Sequence, residues 1–140
     1  MANNGILLVE DNPDHVALTQ RALKMNNIAN PLEVAQDGQE ALDRLFDNAI
    51  ALPMLILLDL NMPKIDGLEV LRRVRASART RRIPVVILTT SDDERDRAAG
   101  YDYGCNSYIR KPVDFGQFSD ALRQLGLYWL VLNEPPPLPA

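Results

Sequence analysis

Short apolar runs alternate along this chain with segments in which apolar residues recur every three or four positions. Residues 54–58 are all apolar, the pattern of a strand buried on both faces of a parallel sheet. Four further runs have strand character, and Pro84 stands at the start of one of them, where a missing N–H is tolerated. The predicted strands are Ile6–Val9, Leu32–Ala35, 54–58, 85–88 and 107–109.

A helix with a recognisable start follows most of these strands. Asn12 is a good N-cap residue, and Pro13 after it suits the first position of a helix over Pro13–Met25. Three later helices begin with capping-box spacing, a short polar residue followed three positions later by Glu or Gln. The three pairs are Asp37 with Glu40, Ser91 with Glu94, and Asp114 with Gln117. In the third helix, Leu68, Leu71 and Val74 fall on one face.

Five strand–helix units in succession predict an α/β fold. Crossovers between parallel strands are right-handed, so the units should form a doubly wound, five-stranded parallel sheet with helices on both faces. With 140 residues the chain has the size of one domain and can bury a sizeable core. We find no internal repeat and no linker.

Composition and charge argue against several classes of function. The net charge of −4 is unlike that of a general nucleic-acid binder, which carries a basic face. No apolar stretch reaches the roughly 20 residues of a membrane helix, and the N-terminus lacks the features of a secretory signal. The single cysteine, Cys105, cannot form an internal disulfide. A cytoplasmic protein that contacts neither nucleic acid nor membrane is therefore expected.

Reactive side chains stand at the ends of four predicted strands. In chain order they are Glu10 and Asp11 after the first strand, Asp59 after the third, Thr89 after the fourth and Lys111 after the fifth. The carboxyl ends of parallel strands lie at one edge of the sheet, where open α/β folds place their ligand sites, so we expect these residues to converge. Three clustered carboxylates repel one another unless a cation joins them, and Mg²⁺ suits such an oxygen-rich site.

The same set of residues suits transfer of a phosphoryl group. Asp59 would be the nucleophile, because a carboxylate can accept a phosphoryl group as a covalent aspartyl-phosphate. The Lys111 ammonium and the Thr89 hydroxyl would stabilise the transferred anion beside the metal. Taken singly, Asp59 could be a turn former and Lys111 a surface charge. Only their combination predicts a catalytic site.

The acid pair, the segment DLNMPKIDG that begins at Asp59, the threonine and the Lys111-Pro112 pair together resemble the receiver domain of two-component response regulators. The resemblance extends over about residues 5–125. It implies a flavodoxin-like sheet of order 2-1-3-4-5, and it implies that Asp59 takes phosphate from a phosphohistidine on a sensor histidine kinase. The implied Mg²⁺ ligands are Glu10, Asp11, Asp59 and the backbone carbonyl of Asn61.

The resemblance also assigns roles around the phosphoryl group. Lys111 would contact it, with a cis bond before Pro112, and Thr89 would move towards it. The aromatic side chain of Tyr108 would change rotamer together with Thr89, as a two-state element biased by a local charge. A half-buried strand tyrosine is an equally good explanation of Tyr108. We expect His15 to be a solvated surface residue, and with no second histidine it does not indicate a zinc site.

The chain continues beyond the receiver-like part. We interpret residues 1–126 as the receiver domain and 127–140 as an extension with a proline-rich tail, which leaves no room for a DNA-binding output domain. Residues 127–132 are all apolar, so this run either folds back or is covered by a second copy. A homodimer is favoured, because six consecutive apolar residues exceed one helical face. The candidate dimer residues are Leu127, Tyr128, Trp129, Leu130, Val131 and Leu132.

Three segments, LTTSDDERD, SYIRKPVDF and GLYWLVLNEPP, are also similar to the small receivers that partner bacterial and cyanobacterial phytochromes. This similarity implies a light-regulated histidine kinase as the partner. It also implies a stand-alone signalling protein that catalyses only its own phosphorylation and hydrolysis, rather than an enzyme acting on a diffusible substrate.

Two other classes of protein stay open. An α/β phosphohydrolase also uses an aspartyl nucleophile, but such enzymes typically carry a second acid two residues later, where this chain has Asn61. An inactive scaffold that keeps the fold would be expected to have lost the acids or the lysine, and all of them are present.

Overall fold

The structure is a computed structural model that describes residues 4–112 and 114–137. Within these residues, no helix combines the length and the apolar character needed to span a membrane. The strands are β1 Ile6–Val9, β2 Leu32–Ala35, β3 Leu55–Leu58, β4 Val85–Thr89 and β5 Ser107–Arg110. The helices are α1 Pro13–Met25, α2 Gly38–Leu45, α3 Gly67–Ala76, α4 Glu94–Asp102 and α5 Phe115–Gly126, and a π-helical segment follows at Leu127–Leu132.

All neighbouring strands are parallel and lie in the order β2-β1-β3-β4-β5, so the predicted fold class and strand order are confirmed. The register places Val9 opposite Leu58, and Leu58 opposite Ile87. The carboxyl ends of β1, β3 and β4 therefore lie side by side. Every residue of these three strands is buried, because helices cover both faces of the sheet.

The core consists of two apolar layers, one on each face of the sheet. Leu42 of α2 and Leu71 of α3 belong to one layer. Ala22 of α1 and Leu122 of α5 belong to the other. α4 is attached more loosely, since Gly100 is its one buried residue.

Local capping explains where most helices begin. The side chains of Asn12, Asp37 and Asp114 accept backbone N–H bonds at the starts of α1, α2 and α5, as predicted. The predicted start of α4 at Ser91 is wrong. Asp93 caps that helix, and the Ser91 hydroxyl instead donates to the side chain of Asp96 at 2.6 Å.

Proline conformation departs from the family expectation in one place. Throughout the described residues every peptide bond is trans, including the bond between Lys111 and Pro112.

Two glycines allow helices to pack against the loop that follows β3. A Cβ atom on Gly67, the first residue of α3, would lie 2.3 Å from the carbonyl oxygen of Asp59. A Cβ atom on Gly38, the first residue of α2, would lie 2.1 Å from the carbonyl oxygen of Ile65. Real Cβ contacts are much longer, so both positions need glycine for close approach of the backbone. Gly67 therefore places the start of α3 directly against Asp59.

Hydrogen bonds from Arg75 join the end of α3 to the loops at the amino edge of the sheet. Its guanidinium donates to the carbonyl oxygens of Gly104 at 2.9 Å, Arg81 at 3.0 Å and Ile83 at 2.7 Å. It also donates to the side-chain oxygen of Asn106 at 2.9 Å. Five fixed N–H donors allow one arginine to satisfy several loop carbonyls at once.

Candidate functional site

Three carboxylates meet at the carboxyl edge of the sheet. Glu10 and Asp11 follow β1 and Asp59 follows β3, and an oxygen from each lies within 4.8 Å of the others. The neighbouring backbones are joined, because Asp59 N donates to Val9 O at 3.0 Å. Glu10 and Asp59 are buried, whereas Asp11 is exposed. The structure thus brings together the three acids that the sequence placed at this edge, and we call them the acid cluster.

Lys111 reaches the acid cluster from the end of β5. Its ammonium forms an ion pair with Glu10, and both side chains are almost fully buried. The backbone N–H of Lys111 donates to Thr89 O at 2.7 Å, which holds this part of the chain against β4. Within residues 4–112 and 114–137, no ion pair joins Lys111 to Asp59. Glu10 is therefore the direct counter-charge of the lysine.

The surroundings of Asp59 disfavour its ionised form. Burial raises the pKa of the Asp59 carboxyl above its ordinary value, and the charge of Glu10 raises it further. The Lys111 ammonium and the Thr89 hydroxyl oppose this effect. A divalent cation would relieve the repulsion among the acids, and their oxygens are the ligands that hard cations prefer. The residues present therefore fit a divalent metal ion.

Thr89 and Tyr108 lie on neighbouring strands and are connected through Ser91. The buried Thr89 hydroxyl oxygen accepts a hydrogen bond from Ser91 N at 3.3 Å. The carbonyl oxygen of Ser91 accepts a hydrogen bond from the Tyr108 hydroxyl at 3.3 Å. The partly buried Tyr108 ring packs against the core, and burial raises the pKa of its hydroxyl. The two predicted switch residues are thus linked by hydrogen bonds immediately before the loosely attached α4.

Asn61 lies exposed in the loop between β3 and α3, two residues after Asp59. This loop is held at several points. Gly67 N donates to Leu60 O at 3.0 Å, and Lys64 adopts a left-handed conformation with φ of 65°. The Lys64 ammonium lies 3.2 Å from the carboxylate of Asp37, the residue that caps α2. These contacts fix the path of the backbone on which Asn61 lies.

His15 is the site residue that sequence reasoning missed. The expectation of a solvated histidine is wrong, because its Nδ1 lies 2.9 Å from Lys111 Nζ and 3.7 Å from Glu10 Oε1. About a third of the side chain, 32%, remains exposed. A usable signal was present in the sequence: His15 is the third residue of α1, which begins two residues after the acid pair. Helical side chains lean towards the N-terminus of their helix, here towards the strand end.

The π-helical segment has an inner and an outer side. Trp129 and Leu130 pack against the core layer formed by α1 and α5. Leu127, Tyr128, Val131 and Leu132 each have half or more of their surface exposed. The run therefore folds back on its own domain through two of its residues and leaves four apolar side chains at the surface, which we call the apolar patch.

A parallel sheet of order 2-1-3-4-5, with an acid cluster, a threonine and a lysine at its carboxyl edge, defines the class of aspartate-centred signalling receivers. The family model described as response regulator receiver domain matches residues 6–123, and the chain belongs to that family.

Relatives cover nearly the whole chain. The probable methanogenesis regulatory protein FilR2 of Methanothrix harundinacea is 42% identical over 134 residues, 94% of this chain and 86% of FilR2. Response regulator Rcp1 of Synechocystis sp. is 39% identical over 130 residues, 89% of this chain and 88% of Rcp1.

Two solved structures superpose closely. The phosphorylated cyanobacterial phytochrome response regulator RcpA has a TM-score of 0.90 at 38% identity, covering 97% of this chain and 100% of that chain. The Mn²⁺-bound form of response regulator Rcp1 has a TM-score of 0.89 at 36% identity, covering 96% of this chain and 99% of that chain. The chain is therefore homologous to phytochrome response regulators.

Proposed function

We propose that this chain accepts a phosphoryl group on Asp59 from the phosphohistidine of a sensor histidine kinase. An Asp59 carboxylate oxygen attacks the phosphorus, the phosphorus–nitrogen bond breaks, and the imidazole of the kinase leaves. Water later hydrolyses the aspartyl-phosphate and releases inorganic phosphate. The observation that carries this proposal is the position of buried Asp59 in the acid cluster, with Lys111 and Thr89 beside it. The similarity to RcpA, whose structure is of a phosphorylated form, supports it.

The metal would be Mg²⁺, held by Glu10, Asp11, Asp59 and the backbone carbonyl of Asn61. The all-oxygen donor set supports this choice, and the relative Rcp1 forms a Mn²⁺-bound structure. When bound, the ion neutralises charge on the transferred oxygens. The acid cluster positions the reactive group, because Glu10 and Asp11, which follow β1, hold their carboxylates close to the reactive oxygens of Asp59.

Lys111 and Thr89 would act on the phosphoryl group itself. The ammonium supplies a compact positive charge, and the hydroxyl donates a hydrogen bond to a phosphoryl oxygen. When Thr89 turns towards that oxygen it gives up the hydrogen bond from Ser91 N. Tyr108 is bonded to the carbonyl of the same serine, so its rotamer would respond and alter the surface next to α4.

Intact mass spectrometry tests the acceptor. Wild type, Asp59→Asn and Asp43→Asn are incubated with acetyl phosphate and Mg²⁺, and Asp43 is a suitable control because it is exposed on α2. We expect a gain of one phosphoryl group in wild type and in the Asp43 variant, none in the Asp59 variant, and none when Mg²⁺ is chelated. An equal gain in Asp59→Asn would refute the assignment.

We further propose that the donor kinase is of the phytochrome type, on the basis of the similarity to RcpA and Rcp1. With such a partner we also propose a cytoplasmic location, because ATP-dependent kinase domains work there. Phosphotransfer from an autophosphorylated phytochrome kinase is compared with transfer from an unrelated histidine kinase at equal concentration. Faster transfer from the phytochrome kinase supports the partner. Equal or slower transfer would refute it, and it would leave the role of Asp59 standing.

A phosphohydrolase acting on free phosphoesters is the alternative function. The position two residues after Asp59 holds Asn61, which cannot serve as a general acid. We therefore propose turnover of the chain's own aspartyl-phosphate alone. Catalytic release of phosphate from small phosphoesters, many times per protein molecule, would contradict this.

We also propose that residues 127–140 are an extension to the receiver domain of residues 1–126, and that the apolar patch is covered by a second copy of the chain. Four apolar side chains in one short segment, each with half or more of its area in water, favour association. A two-fold dimer would bring two such patches together and cover both.

Sedimentation velocity tests the dimer without disturbing the fold. Val131 is 70% exposed, so Val131→Asp alters the patch and leaves the contacts of Trp129 and Leu130 with the core intact. Tyr101→Ser, on α4 and 54% exposed, is the matched control. We expect dissociation of the Val131 variant and a dimer for wild type and the control. A dimer that survives Val131→Asp would exclude the patch as the interface.

A further inference from the structure

The Lys111 ammonium has three N–H donors, and the structure shows the partners of two of them. One partner is Glu10 Oε1, and the other is His15 Nδ1 at 2.9 Å. An ammonium can only donate, so Nδ1 must be the accepting nitrogen of a neutral imidazole whose proton is on Nε2. The contact joins residues 96 positions apart in the chain. His15 is therefore part of the environment of Lys111, although no receiver role was expected of it.

The backbone of His15 is held in place from two directions. Its N–H points to the side-chain oxygen of Asn12 at 3.4 Å, within the N-cap of α1. Its carbonyl oxygen accepts a hydrogen bond from the hydroxyl of buried Thr19 at 2.8 Å. The imidazole is thus presented by the fixed first turn of a helix, a suitable platform for orienting another side chain.

We infer that His15 is a positioning residue for Lys111, and the inference rests on the proposed phosphoryl transfer to Asp59. With Glu10 alone, the ammonium could rotate about its last bond and move among the carboxylates of the acid cluster. A second fixed acceptor defines its orientation and leaves the third N–H for a phosphoryl oxygen. Because the imidazole is neutral, it orients the lysine without cancelling the positive charge that the phosphoryl group requires.

The rate of phosphorylation by acetyl phosphate at saturating Mg²⁺ tests this role. His15→Leu removes the acceptor, and we expect the rate to fall roughly tenfold or more, the scale of one hydrogen bond to a charged group. His15→Asn supplies an amide oxygen near the position of Nδ1 and should restore the rate to within about twofold of wild type. Leu18→Ala, at a partly exposed position of the same helix, should leave the rate unchanged.

A double-mutant cycle separates positioning from a general structural effect. If His15 acts through Lys111, then His15→Leu causes no further loss of rate in a Lys111→Ala background. Independent, multiplicative losses would overturn the inference, as would a wild-type rate in His15→Leu or an equal slowing by Leu18→Ala. Failure of the wild type to gain a phosphoryl group would instead refute the proposed function, so the two failures are distinguishable.

Discussion

Replacing Asp59 by asparagine should stabilise the metal-free protein. Burial and the charge of Glu10 raise the pKa of the Asp59 carboxyl, which means that its ionised form is less stable in the fold than in water. Asparagine keeps the size of the side chain and removes the charge. The substitution therefore relieves a repulsion that the folded metal-free protein contains.

The magnitude follows from the geometry of the acid cluster. Two unit charges within 4.8 Å of each other repel by about 3 kcal/mol at an effective dielectric constant of ~20. The attraction of Lys111 offsets part of this repulsion, so we expect a net gain in stability of roughly 1–2 kcal/mol. For a chain of this size that corresponds to a rise in Tm of about 3–6 °C.

Thermal unfolding followed by circular dichroism, with EDTA and with about 10 mM Mg²⁺, measures this effect. In EDTA, Asp59→Asn should melt above wild type. With Mg²⁺, wild type should gain stability because the ion binds the folded state, and the variant should gain less because it has lost a ligand. Asp43→Asn controls for the change in net charge.

The pH dependence supplies a second check. The raised pKa means that the ionised carboxylate destabilises the metal-free fold at pH values above that pKa. This destabilisation disappears as the pH falls through the folded-state pKa towards 3.8, the ordinary pKa of an aspartate. The advantage of Asp59→Asn in EDTA should therefore shrink with falling pH. A variant that melts no higher than Asp43→Asn in EDTA near neutral pH would show that the reasoning about the acid cluster is wrong.

Three further predictions concern the framework of the site. Gly67→Ala should destabilise the fold by about 2 kcal/mol in a urea titration, because the added Cβ would lie 2.3 Å from Asp59 O. Gly5→Ala is the control and should be nearly neutral, because the nearest atom to its added Cβ lies at 3.8 Å. Equal effects of the two substitutions would contradict the close approach at Gly67. Arg75→Met should lower the free energy of unfolding by about 2–4 kcal/mol in the same titration, because it leaves loop carbonyl oxygens without a donor. A decrease of less than about 0.5 kcal/mol would refute this role of Arg75. Hydrogen bonds from Arg72 and Arg73 lower the pKa of Glu69 to about 2. The loss of stability in Glu69→Gln, measured as a difference in Tm, should therefore be complete above pH 4.5 and should vanish as the pH falls towards 2. A difference in Tm that does not depend on pH would exclude the ion pairs as its cause.

Local patterns predicted the strands and most helix starts correctly, because those depend on residues close together in the chain. An apolar run specifies a buried strand, and a side chain such as Asp114 caps the N–H groups that immediately follow it. The start of α4 shows where this reasoning fails. Ser91 and Asp93 both suit an N-cap, and the hydrogen bond from Ser91 to Asp96 left Asp93 as the cap. Residue type alone does not decide which of two suitable residues caps the helix.

The apolar run at residues 127–132 also shows which features local sequence predicts and which only packing decides. Six apolar residues indicated a segment that needs covering, but the pattern has no helical periodicity that could assign its faces. Packing against α1 and α5 decided that Trp129 and Leu130 lie inwards and that Val131 lies in water.

The sequence by itself determined the parallel α/β architecture and the identity of the strand-end acids, threonine and lysine, because strand periodicity and chain direction place such residues at one edge of the sheet. Only the tertiary structure decided that Lys111 pairs with Glu10 and that His15 joins them. Those contacts depend on the distance between the end of β5 and the first turn of α1. Packing of the whole domain sets that distance, so it cannot be predicted from any local sequence pattern.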